Sequence, residues 1–222
     1  MDWNSIRSSD DIFKTTDMHI GIAGNIGCGK TTLTRMLSEH YGWIPKFESV
    51  TYNPYLEDYY KDIPRWSYNL ETYFLAQRFK DVLEIARSQD VIIQDRTLAE
   101  GVYIFVANNY EMGNLSKRDY ETYMDLFNVM TAMVKEPDLL IYLKSSVPHL
   151  VSQIQKRGRD YEQSISLDYL KGLNDRYDRW IAQCKGKVLT IEADDLDFQN
   201  RPEDFQLITD KIDAELYGLF PM

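Results

Sequence analysis

Cysteine is scarce in this chain of 222 residues, with Cys28 and Cys184 as its only two. Two thiols cannot build a disulfide framework, and neither falls in a CxxC or Cys/His cluster of zinc-like spacing, so the sequence reads as one made for a reducing compartment. Long apolar runs are missing too. No stretch reaches the ~18 consecutive apolar residues of a bilayer span, and residues 1–17, MDWNSIRSSDDIFKTTD, are polar and acidic, unlike a secretory or transit peptide. Positive charge is in deficit, with 25 Lys and Arg against 35 Asp and Glu and a net charge of -10. That balance repels nucleic acid and anionic membranes. The expectation is a cytoplasmic protein with neither as a partner.

What the chain does contain is enough to build a core: 44% of its residues are hydrophobic and 13% aromatic. Its length suits one domain, residues 18–222, preceded by an extension at 1–17. Short apolar runs at 18–23, 43–47, 91–94, 139–143 and 188–191 read as buried strands. Between them, 31–40, 66–87, 117–134, 150–156 and 167–183 carry helical spacing. Strands alternating with helices predict an α/β fold with a five-stranded parallel, doubly wound sheet flanked by helices. The acid-rich stretch 192–215 reads as a solvated loop leading into a last amphipathic helix.

Gly24-Asn25-Ile26-Gly27-Cys28-Gly29-Lys30-Thr31 matches G-x-x-x-x-G-K-[ST], the phosphate-binding P-loop. It follows an apolar strand and opens a helical pattern, the context the motif requires. Glycines let successive backbone N–H groups converge on phosphate, and the helix aims its positive end at the same point. Lys30 is expected at the β- and γ-phosphates of ATP and Thr31 at Mg²⁺, with Thr32 among the residues of the loop that bind ATP. Cys28 sits where a helix N-terminus lowers a thiol pKa, which makes it either a reactive group or a passive loop residue.

In an open α/β sheet, ligands bind at the carboxyl ends of the strands. The second expected strand leads to Glu48 and the third to Asp95-Arg96, so two carboxylates and a guanidinium share one crevice with the P-loop. No guanine-reading N-K-x-D is present. His19, His40 and His149 show no metal spacing.

The motifs GNIGCGKTT, FES around Glu48, NPYLEDYY, WSYNLETYFLAQR, QDRT and KRGRDYEQ occur in that order. With them the sequence resembles the deoxynucleoside kinase family, most closely its bacterial deoxyadenosine/deoxyguanosine kinase branch, over residues 19–198. The resemblance implies a P-loop kinase with an arginine-rich lid at about 155–165, acting with ATP and Mg²⁺ on a small-molecule deoxynucleoside, and a homodimer. It makes Glu48 the base beside the sugar 5′-hydroxyl and Arg96 its holder, with Thr97 where the family signature has Ser. Asp95 joins Thr31 at the metal. Arg157 and Arg159 close over ATP, Glu162 and Tyr60 bracket the 3′-hydroxyl, and residues 192–198 lie over the ATP adenine.

The base-reading helix departs from the family pattern. Glu71 stands where a glutamine is usual, and an ionised carboxylate accepts hydrogen bonds without donating any. Arg78, two turns on, can pair with Glu71 or donate to a ring nitrogen. Gly101 stands where an Asp often contacts that arginine, and either Glu100 substitutes or the space admits a purine. Trp66, Tyr68 and Phe105 can stack on a base or fill the core. The expected acceptor is deoxyadenosine, with deoxyguanosine or deoxycytidine as alternatives, and a regulatory nucleotide-binding subunit as the reading from another class. The apolar segments 99–108 and 120–133 form a subunit interface or an internal core.

Overall fold

The computed structural model describes residues 18–48, 53–159, 162 and 165–218. The extension at 1–17 and part of the expected lid lie outside the described residues. Five strands form one parallel sheet: β1 (Met18–Gly24), β2 (Ile44–Lys46), β3 (Val91–Asp95), β4 (Leu139–Lys144) and β5 (Val188–Glu192), in the order β2-β3-β1-β4-β5. All four pairings are parallel. The chain first moves from β1 to one side and then crosses to the other, so a crevice opens at the carboxyl end of the central strand.

Nine α-helices complete the described residues: α1 (Lys30–Tyr41), α2 (Leu56–Lys61), α3 (Ile63–Ile85), α4 (Leu98–Glu100), α5 (Ala107–Glu111), α6 (Lys117–Thr131), α7 (Val147–Arg157), α8 (Leu167–Gln183) and α9 (Pro202–Tyr217). A π-helical stretch, Gly101–Val106, joins α4 to α5. Polar N-caps start several of them, as Asp62, Ser116, Ser146 and Ser166 each accept from the backbone three residues on. Gly42 and Gly158 end α1 and α7 in the left-handed conformation.

Alternation along the strands divides the core. Ile20, Ile22, Ile93 and Ile141 pack against α1, α7 and α9 through Leu33, Leu150 and Ile208, while Ala23, Leu140 and Tyr142 meet Phe105, Leu173 and Tyr177 on the other face. One element went unanticipated, α2, too short to show a period, while the segment 99–108 takes the internal-core alternative as part of a helical run over 98–111 with a π-helical turn. The expected C-terminal loop is shorter than the sequence suggested. α9 begins at Pro202, and its Ile208 and Ile212 are fully buried against the sheet. Among the described residues no helix is long and apolar enough to cross a membrane.

Candidate active site

The P-loop leaves the central strand and wraps the head of α1. Gly24, Gly27 and Gly29 all have positive φ. At Gly27 a Cβ would sit 2.9 Å from Ile154 Cγ1 and 3.0 Å from the Leu150 carbonyl, so the turn requires glycine in both conformation and space. Asn25 is buried and ties the loop to α8, donating to the Leu170 carbonyl at 3.0 Å and to Asn174 at 2.6 Å. The Lys30 ammonium lies inside the loop, donating to the carbonyls of Gly24 (2.8 Å) and Asn25 (2.9 Å). Cys28 is buried beside it, and burial raises its thiol pKa, opposed by Lys30 and Arg96. Its burial favours the second of the two readings, a passive loop residue.

Thr31 donates to Asp95 Oδ2 at 2.5 Å, and Asp95 Oδ1 is buried without a partner. This pair suits a Mg²⁺ that takes one or two protein oxygens and completes its shell with phosphate and water. Among the described residues there is no cluster of three or more His, Cys, Asp and Glu able to hold a metal alone, and His19 is buried against Gln94.

Arg96 follows β3 with φ +72, the only positive φ of a non-glycine among the described residues. Strain of this kind persists where the surroundings over-determine it. Here Arg96 Nε donates to Glu48 Oε2 at 3.1 Å, its Nη1 reaches the Tyr177 hydroxyl at 3.0 Å and Glu100 at 3.4 Å, and its guanidinium lies 4.5 Å over the Phe105 ring. Arg78 Nη2 donates to the other oxygen, Glu48 Oε1. Burial alone would raise the Glu48 pKa, but Arg96, Arg78 and Lys30 together bring it down to about 2.

Glu48, Arg96, Lys30, Thr31, Asp95, Tyr60, Glu71, Arg78, Arg157, Arg159 and Glu162 line one cleft of about 300 Å³. So the crevice unites strand ends, α3 and the residues Arg157, Arg159 and Glu162. At its far end the sequence expectation needs correcting. Arg78 bonds Glu48 rather than Glu71, which instead accepts from Asn109 Nδ2 at 3.2 Å. Glu71 is buried, and burial pushes its pKa up to about 7 against Arg78 and Asn109. Glu100 does not stand in for a carboxylate at 101. It turns toward the P-loop, accepting from Gly24 N (3.2 Å) and Thr97 N (2.7 Å). Nor does Gly101 leave an open space, since a Cβ there would meet Arg78 Nη1 at 2.8 Å and the Tyr123 hydroxyl at 3.3 Å.

Phe105 lines the cleft, whereas Trp66 packs beside Tyr55 and Tyr68 beside Leu75 and Tyr123 in apolar clusters. The other aromatic walls are Phe47, Phe74, Tyr59 and Tyr169. Phe74 was legible, lying three residues past Glu71 on the same helix face. Tyr169, Tyr177 and Asn109 carry no local signal.

Both arginines of the expected lid hold Glu162: Arg157 through Nε at 3.0 Å and Nη2 at 2.5 Å, and Arg159 through Nη1 at 3.3 Å. Behind the P-loop a second hollow of about 260 Å³ runs between Gly29, Thr32, Gln153 and the segment 193–201. Phe198 is buried there against Gly29.

The family model for deoxynucleoside kinases matches residues 20–217. The deoxyadenosine/deoxycytidine kinase of Bacillus subtilis is 37% identical over 201 residues, covering 89% of this chain and 93% of that protein. The deoxyguanosine kinase of the same organism is 34% identical over 194 residues, 85% of this chain and 93% of that one. The structure of deoxyadenosine kinase from M. mycoides with products dCMP and a flexible dCDP bound superposes with a TM-score of 0.80 at 33% identity, covering 89% of this chain and 100% of that one. The matched span holds the P-loop, both strand-end motifs and α3, and on this agreement of sequence and fold the chain belongs to the deoxynucleoside kinase family.

Proposed function

We propose that this kinase moves the γ-phosphoryl group of ATP to the 5′-hydroxyl of deoxyadenosine, giving dAMP and ADP. The observation that carries this reading is Glu48, a carboxylate whose side chain is 14% exposed, held between two guanidiniums at the mouth of a P-loop. The 5′-oxygen attacks the γ-phosphorus, its proton passes to Glu48, and ADP leaves. P-loop N–H groups and Lys30 hold the β- and γ-phosphates, and Arg96 steadies the charge that spreads over the moving group. Arg157 and Arg159 turn from Glu162 to the phosphates and exclude water. Thr31 and Asp95 hold Mg²⁺, which when bound neutralises phosphate charge.

Tyr60 and Glu162 flank the sugar 3′-hydroxyl, and Phe105 and Phe74 enclose the base. With a pKa of about 7, Glu71 is protonated in part at neutral pH. Its protonated form donates to adenine N1 and accepts from the 6-amino group, the pattern of a glutamine. The hollow behind Gly29 takes the ATP adenine under residues 192–198. The protein acts in the cytoplasm, where ATP is available and its two free cysteines stay reduced.

The chain works as a homodimer. On α6, Tyr123 and Phe127 are buried inward while Leu126 and Val129, with Met133 just past the helix end, form an exposed apolar stripe.

Initial rates with deoxyadenosine, deoxyguanosine, deoxycytidine and thymidine under Mg-ATP test the reading. Deoxyadenosine should lead, and Glu48→Gln should lower kcat by about 10²-fold or more. Turnover of none of the four would sink it.

A further inference from the structure

Arg78 is a buried cation with work left undone. Its Nη2 holds Glu48, yet its Nε and Nη1 have no partner and no access to water. Leaving a charged donor buried and unpaired costs free energy, so an acceptor brought into its reach is favoured. Two features explain the vacancy. Residue 101 has no side chain, and the space its Cβ would take is filled by Arg78 Nη1 itself, 2.8 Å away. Glu71, on the same face of α3, is bonded by Asn109 from α5. Arg78 lies 5.0 Å over the Phe74 ring in the wall of the cleft, and Glu48 lies in that same cleft. One guanidinium thus joins the far end of the cleft to the carboxylate at its mouth.

We propose that Arg78 couples recognition of the nucleobase to release of Glu48: an acceptor atom of the base draws the guanidinium away and leaves Glu48 on Arg96 alone. This rests on the reading of Glu48 as the acceptor of the 5′-hydroxyl proton. Arg78 is then a positioning residue that works through Glu48. The charged groups facing Glu48 are Arg78 and Glu71 on α3, Arg96 and Asp95 at the end of β3, and Lys30 on α1. Of its two guanidinium partners, Arg78 is the one with two buried donors, Nε and Nη1, that hold no acceptor. Removing one of the three positive charges that oppose it lets burial raise the proton affinity of the carboxylate, which makes it a better base. A sugar without an acceptor base leaves Glu48 clamped and loses kcat as well as affinity.

Carbon-13 NMR of the Glu48 carboxyl, assigned with Glu48→Gln, tests the coupling in the whole protein. The probes are 2′,5′-dideoxyadenosine, which has the base and no hydroxyl to phosphorylate, and 1,2-dideoxyribose, which has no base. The free protein should show no Glu48 titration above pH 4, and saturation with 2′,5′-dideoxyadenosine should raise its pKa by about 1 to 3 units. The baseless sugar should not. Arg78→Met should raise it in the free protein and abolish the further rise. Gly101→Asp, which gives Arg78 another carboxylate, should act in the same direction and serves if Arg78→Met does not fold. Binding without a change at Glu48, or no change in either variant, overturns the coupling. If calorimetry shows that the dideoxynucleoside does not bind, it is the functional reading that fails.

Discussion

Glu71 is a buried carboxyl group that bears on stability and, under the proposed function, on choice of base. Its pKa is raised from 4.5 to about 7, with burial as the leading cause. A raised carboxylate adds stability below its unfolded pKa and loses it as pH climbs through the folded one, because the unfolded chain ionises first. The loss between pH 4 and pH 8 is about 3 kcal/mol. Urea unfolding of Glu71→Gln against wild type should therefore show the variant relatively more stable at pH 8 than at pH 4 by about that amount. The same titration changes recognition. Ionised Glu71 accepts the N1–H and amino protons of guanine, while the protonated form suits adenine. The ratio of deoxyguanosine to deoxyadenosine phosphorylation should rise by up to roughly a hundredfold from pH 6 to pH 8, following the ratio of ionised to protonated Glu71, and stay flat in Glu71→Gln.

At the scale of elements, the turn after β3 is fastened to the P-loop by side chains from two helices. Thr97 and Glu100 form a capping box that starts α4. Glu100 also accepts from Gly24 N, and the Tyr177 hydroxyl from α8 lies 2.7 Å from Glu100, 2.8 Å from the Gly24 carbonyl and 3.0 Å from Arg96. The phosphate loop and the arginine that faces it thus share one hydrogen-bonded junction, which holds Arg96 in its left-handed conformation. Tyr177→Phe leaves buried partners unsatisfied and should cost about 1 to 3 kcal/mol in denaturant unfolding. It should also lower kcat more than it raises KM for ATP, since Lys30 and the P-loop amides remain. A variant with wild-type stability and kcat would disprove the fastening role.

For the whole molecule, the sheet order sets which surfaces remain outside. α3, α6 and the π-helical stretch pack together through Leu75, Val102 and Phe127, yet Val129 keeps 66% of its surface exposed. Tyr103, beside Phe127, is exposed as well. Together these residues form the face assigned to a second copy. Val129→Glu places a charge on the stripe and should halve the mass seen by light scattering at micromolar concentration while leaving the monomer folded by circular dichroism. A wild-type protein that scatters as a monomer would remove the dimer.

Much of this was legible in the chain itself. The P-loop is eight consecutive residues between a strand and a helix, so its glycines, Lys30 and Thr31 could be assigned without knowing what lies across from them. Short apolar runs marked the five strands, and their alternation with helices implied parallel pairing. Glu48, Asp95 and Arg96 were found because strand ends in such a sheet face one crevice. The partners of the buried charges were not legible. Arg78 bonds a residue 30 positions away, Glu71 is held from 38 positions away, and Glu100 meets Tyr177 across 77. Strand and helix formation is written in neighbouring residues and their period. The partner of a buried polar group depends on which elements the sheet order sets side by side, as where Arg78 Nη1 lies 2.8 Å from the place a Cβ would take at Gly101.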